Sequence, residues 1–133
     1  MKKLVAIVLV LIVFIIGYNI MFSKGAELLE EGNVASVTVS SLPEKYEYHF
    51  VGDDAKAVVD YLSNLNLNKC FTENAGMGNG MIWNVILEYE NGNTTTIYHS
   101  GNMFIKTEKS TWYRMLYKEA SQFETLLEKL DKK

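Results

Sequence analysis

Two histidines, one cysteine and a glycine-rich loop are the residues on which chemistry would have to be built in this chain. His49 and His99 stand far apart, and neither has a histidine or carboxylate beside it at a metal-ligand spacing, so each reads as a structural or surface side chain. Cys70 is the only cysteine, which rules out an intrachain disulfide and a cysteine zinc site within one chain. It reads as a small buried apolar residue in a strand. A thiol and base pair of Cys70 with His99 is chemically sound, but nothing in the sequence brings the two together.

The glycines of Ala75-Gly76-Met77-Gly78-Asn79-Gly80 alternate as in a phosphate loop. Such a loop must open a helix whose first amides face the phosphate, whereas this one opens the strand that begins at Met81. Ser100-Gly101 lacks the setting of a nucleophile elbow, and Glu88, Glu90 and Glu108 read as a solvated sheet face and rim. No catalytic, metal-binding or cofactor-binding residue is assigned. The reading is therefore a non-enzymatic interaction module; the alternative is an envelope enzyme or ligand-binding module using a cleft near residues 76–80.

Aromatic residues carry the stronger signal. Tyr46, Tyr48, Trp83, Tyr89, Tyr98, Trp112 and Tyr113 suit core and cross-strand packing, or an exposed patch for a protein or glycan partner. The interaction surface expected from sequence is Trp112, Tyr113 and Tyr98, with Met77 from the glycine loop.

The chain has 133 residues, a formal net charge of -3 and a pI near 5.4, with no basic run beyond Lys132 and Lys133, which argues against nucleic acid as a partner. Lys2 and Lys3 precede the apolar run Leu4 to Phe22, about 28 Å long as a helix and close to the thickness of a hydrocarbon core. With Glu27, Glu30 and Glu31 after it, the lysines place the N-terminus in the cytoplasm and the rest outside. A cleaved signal peptide ending near Ser23-Lys24-Gly25 is the competing reading and would give a secreted protein. Lipid attachment by the lipoprotein route is excluded because no cysteine directly follows the run.

These features divide the chain into a transmembrane signal anchor at 1–22, a connector at 23–33 and an extracytoplasmic domain at 34–133. Its partners would be the membrane, through the anchor, and a protein of the envelope. With 48% hydrophobic and 22% charged residues, the chain has the composition of one that folds around a core.

Periodicity supplies the elements. Val34 to Ser41 reads as a strand with Val37 and Val39 on one face, ended by Leu42-Pro43, and Tyr46, Tyr48 and Phe50 alternate with Glu47, His49 and Val51 in a second. Asp53 is the expected N-cap of a helix over Asp54 to Leu65, whose stripe is Ala55, Val58, Val59, Leu62 and Leu65. Lys69 to Thr72 is a short strand. Met81, Trp83, Val85, Leu87 and Tyr89 then mark the apolar face of a strand that turns back at Asn91-Gly92. A three-residue loop of Glu90, Asn91 and left-handed Gly92 keeps Ile97 on the apolar side, and predicts Val85 opposite Ile97 and Trp83 opposite His99. Ser100-Gly101-Asn102 makes the next turn, and Met103 to Thr107 and Thr111 to Met115 are further strands. Ser121 with Glu124 forms a capping box for a final helix carrying Phe123, Leu126, Leu127 and Leu130.

The sum is an α+β fold: an antiparallel sheet of about six strands, with two amphipathic helices on one face, behind an N-terminal transmembrane helix. A lysine-led anchor before a Tyr- and Asn-rich β/α domain with an Asn-Gly hairpin resembles the small exported or membrane-anchored proteins of Gram-positive bacteria. The likeness is one of overall style and carries over no functional residue.

Overall fold

The computed structural model describes residues 1–43, 45–70, 81–100 and 103–132. The glycine loop at 75–80, with Met77, and the turn residues Gly101 and Asn102 lie outside them.

Helix α1, Lys2–Met21, is 20 residues of almost wholly apolar sequence, and none of them is buried. It is long and apolar enough to cross a membrane or to be a signal sequence. It passes straight into strand β1, Phe22–Lys24, and then a 3-10 turn, Gly25–Leu28. The stretch taken from sequence as a connector is thus built into the fold, with Gly25 and Leu28 buried. Gly25 allows the closest approach among the described glycines: a Cβ there would stand 1.7 Å from the Leu62 carbonyl oxygen, and its amide donates to the Leu65 carbonyl at 2.8 Å.

The domain continues with β2 (Val34–Leu42), β3 (Glu47–Val51), α2 (Gly52–Ser63), β4 (Asn66–Lys69), β5 (Ile82–Tyr89), β6 (Thr94–Ser100), β7 (Phe104–Thr107), β8 (Tyr113–Met115), α3 (Tyr117–Ala120) and α4 (Gln122–Asp131). Among the described residues eight strands make one antiparallel sheet in the order β1-β4-β8-β7-β6-β5-β2-β3. The expected α+β class is seen, but six strands and two helices were too few. β1 was hidden at the end of the apolar run and α3 is a single turn. Of the strand expected at Lys69 to Thr72, Lys69 ends β4 (Asn66–Lys69), Cys70 is half-buried beyond it, and Phe71 and Thr72 lie outside the described residues.

The hairpin register is the expected one. Val85 pairs with Ile97 and Trp83 with His99, Gly92 has φ +89°, and the Tyr89 amide donates to the Asn93 carbonyl at 2.9 Å across the loop. With that register Val37, Val39, Val85, Leu87, Ile97 and Ile105 fall on one face and are fully buried. α2 brings Ala55, Val58 and Leu62 to that core, and α4 brings Phe123, Leu127 and Leu130.

Two caps differ from expectation. Gly52, at φ +58°, turns the chain directly from β3 into α2, so the cap position falls on Val51, and Asp53 lies inside the first turn, where its charge still favours the helix dipole. Ser121 is already helical because α3 precedes it, and its Oγ donates to the Lys118 carbonyl rather than capping α4.

Candidate functional site

The sheet has two ends, and each carries a cleft. At the β3 end, alternate residues share the helix-bearing face, so Tyr48 and Phe50 point to it, Tyr48 lying beside α4 with Tyr46 just before the strand. The Tyr46 and Tyr48 rings stand 6.3 and 6.1 Å from that of Trp83, in β5, and are tilted against it. Together with Leu127, Glu124 and Glu128 of α4 these rings line a trough of about 440 Å³. Tyr46 is 51% exposed, so the trough opens to solvent through an aromatic lip. Partial burial, then the Asp131 carboxylate, the neighbouring Tyr46 phenol and the carboxylates of Glu128 and Glu124, hold the Tyr48 phenol above its ordinary value. The lining is therefore aromatic, with Glu124 and Glu128 on its rim and the Lys132 ammonium beside them. β3 pairs only with β2, so among the described residues its outer edge of backbone amides and carbonyls is unpaired by any strand.

Beneath the trough the packing is aromatic throughout. The Phe123 ring meets Trp83 edge-on at 6.1 Å and stacks on His99 at 4.7 Å, while Tyr61 stacks on its own ring at 5.3 Å. His99 is 2% exposed, and neither ring nitrogen has a hydrogen-bond partner among the described residues. Burial lowers its pKa from 6.5 to about 4, so it is a neutral core side chain at physiological pH.

At the opposite end, where α1 meets β1, a larger cleft of about 810 Å³ lies between the last turn of α1, the β1–β4 edge and the start of α3. Its apolar lining includes Tyr18, Phe22, Met103, Leu116 and Tyr117. Lys24, Arg114 and Glu27 are the charged residues on it. Lys24 Nζ donates to Asn66 Oδ1, and the Asn66 backbone amide donates to the Glu119 carboxylate at 3.0 Å.

Of the residues expected from sequence, Tyr98 and Trp112 share one cation, Tyr113 lies elsewhere, and Met77 is outside the described residues. Tyr98 and Trp112 are half-buried on the face opposite the helices, joined by the Lys106 ammonium at 5.7 and 4.9 Å from their ring centroids. Tyr113 packs against the core instead. His49 is exposed, with Nδ1 3.1 Å from Thr38 Oγ1. Burial pushes the Cys70 thiol up, opposed by the Arg114 charge, and no hydrogen bond joins it to His99. Among the described residues no group of three His, Cys, Asp or Glu side chains could hold a metal ion.

Sequence reasoning named Tyr46, Tyr48 and Trp83 only as members of an aromatic set. The sharper signal was Glu124 and Glu128, one helical turn apart beside the core position Leu127. The cleft at the α1 end had no such signal, because it depends on β1 and α3.

No protein-family model, curated protein or solved structure matches the chain.

Proposed function

We propose that the chain is a single-pass membrane protein of a bacterial envelope, with its N-terminus in the cytoplasm and its α+β domain outside, acting as a non-enzymatic module that binds another envelope protein. The observation that supports this reading is the polarity of the sheet: a fully exposed apolar helix enters at the β1 end, and the β3 end carries an edge unpaired among the described residues beside an aromatic trough. Eight strands spaced about 4.8 Å apart separate the two ends by roughly 34 Å. A partner segment would add to β3 by backbone pairing and seat apolar side chains between Tyr46, Tyr48 and Leu127, with basic residues toward Glu124 and Glu128.

The test uses intact cells expressing the full chain with a tag after Lys133. Protease added outside should remove the tag while α1 stays in the membrane; a tag protected until the cells are opened refutes the topology. In the same cells a photo-crosslinking residue at position 46 should capture a partner that one at Asn91, at the hairpin tip, does not. Equal capture at both positions refutes the assignment to the β3 edge.

A further inference from the structure

The cleft at the α1 end has the composition of a site for a phosphate group at a membrane surface. Phe22, Leu116 and Tyr117 are 44%, 56% and 64% exposed, yet all three line this one cleft with Tyr18 from the last turn of α1. Large apolar side chains left exposed together call for a cover. Beside a helix able to span a membrane, aromatic and aliphatic residues at that position form an interfacial belt, half in the acyl boundary and half among the head groups. Solvent alone does not supply that cover.

The charges on the same lining define what else lies there. Lys24 and Arg114 face the cleft, neither forms an ion pair among the described residues, and Glu27 is the one carboxylate on the wall. On the lining itself two cations face one anion, with the Glu119 carboxylate held behind Asn66, and the paired cations are the complement of a phosphodiester. Arg114 offers the forked donors that suit phosphate oxygens, and the hydrogen bond to Asn66 holds the Lys24 ammonium in place. A volume of about 810 Å³ also accommodates a head group with its glycerol.

We propose that this cleft binds the phosphodiester of a glycerophospholipid from the leaflet on which the domain rests. Arg114 and Lys24 hold the phosphate, and Phe22, Leu116 and Tyr117 lie against the glycerol and upper acyl chain. The inference rests on the reading of α1 as a membrane span. A free phosphate ion would satisfy the two cations but leave the three apolar side chains in water, which favours the lipid as the source. Such binding pins the β1 end to the surface and holds the β3 edge away from it.

The experiment places the full chain in phosphatidylcholine nanodiscs with and without phosphatidylglycerol, releases it gently into detergent and counts retained phospholipid by native mass spectrometry. Wild type should retain one phosphatidylglycerol per chain, and the Lys24→Gln/Arg114→Gln variant should need on the order of tenfold more of that lipid in the disc for the same retention. Leu116→Glu should weaken retention too while leaving the urea midpoint in place, since Leu116 lies outside the core. Equal retention by wild type and the double variant, or none by wild type, overturns the site. Displacement of the lipid by millimolar inorganic phosphate assigns the cations to a free anion and overturns the lipid source. Carbonate washing of expressing membranes reads the anchor separately: a chain that washes off removes the anchor reading and the site with it, whereas a chain that stays but retains no phospholipid removes only the site.

Discussion

Replacing His99 by leucine should make the fold far less sensitive to acid. The imidazole is 2% exposed, stacked on Phe123 at 4.7 Å, and neither ring nitrogen has a partner among the described residues. Burial lowers its pKa from 6.5 to about 4, so in that interval the unfolded chain binds a proton that the folded one does not. Stability from this group is therefore complete above the unfolded value and is lost as pH falls toward the folded one. Linkage puts the loss at about 2 kcal/mol at pH 5 and at about 3 kcal/mol below the folded pKa. Leucine has no proton to bind, and its swap removes a polar group buried without a partner, so near neutral pH the variant should lie within about 1 kcal/mol of wild type. The assay is urea unfolding of the full chain in detergent micelles, followed by the fluorescence of Trp83 and Trp112, at a series of pH values. Carboxylates titrate in both proteins, and the difference between the two curves isolates His99. Parallel curves from neutral pH down to about pH 5 would show that the imidazole is solvated or paired, and the burial argument would fail.

Three further outcomes test the packing. Gly25→Ala should cost about 3 kcal/mol or more, because its Cβ would meet the Leu62 carbonyl oxygen and force β1 away from α2; an unchanged urea midpoint would contradict that close approach. Gly92→Ala should cost about 1 kcal/mol through its left-handed backbone alone, since no atom lies within 4 Å of the new Cβ, and Gly92→Asn should cost less; equal losses would remove the conformational explanation. Alkylation of Cys70 should be slower than that of a small free thiol at neutral pH, because burial raises its pKa, and slower again in Arg114→Gln, which removes the opposing charge. A rate indifferent to Arg114 would show that the guanidinium does not reach the thiol.

The hairpin was legible because two independent signals agreed. Only a three-residue loop leaves Ile97 on the face of Val85, and Asn91-Gly92 supplies the left-handed residue that loop requires. The helices were legible for the same kind of reason, since their apolar stripes recur at 3.6-residue spacing, although their caps were not. Gly52 moved the start of α2 by two residues, while α3 left α4 starting where expected and removed only the Ser121 side-chain cap, and neither change alters a hydrophobic pattern. β1 was illegible in principle: Phe22 continues the apolar run of α1, and only pairing with Asn68 makes it a strand. The site suffered most, because Tyr46, Tyr48 and Trp83 meet only through β3–β2–β5 pairing, a contact between segments far apart in the chain.

That pairing also bears on why the β3 edge is the surface to watch. An open sheet must manage both of its edges, because unpaired amides and carbonyls invite pairing with another chain. At the β1 edge the chain runs from α1 directly into the strand at Phe22. The β3 edge is unpaired by any further strand among the described elements. Its five residues, Glu47–Val51, contain neither lysine nor proline, the usual deterrents, although the strand is short and carries Glu47. On the proposed reading, this edge beside Tyr46 and Tyr48, with Glu124, Glu128 and Lys132 on the rim, would select its partner by side chain as well as by backbone pairing. Tyr48→Lys, facing the trough, should therefore abolish capture at position 46 and leave the urea midpoint within about 1 kcal/mol of wild type, because Tyr48 is only half-buried. Capture that survives this substitution would place the partner elsewhere on the domain.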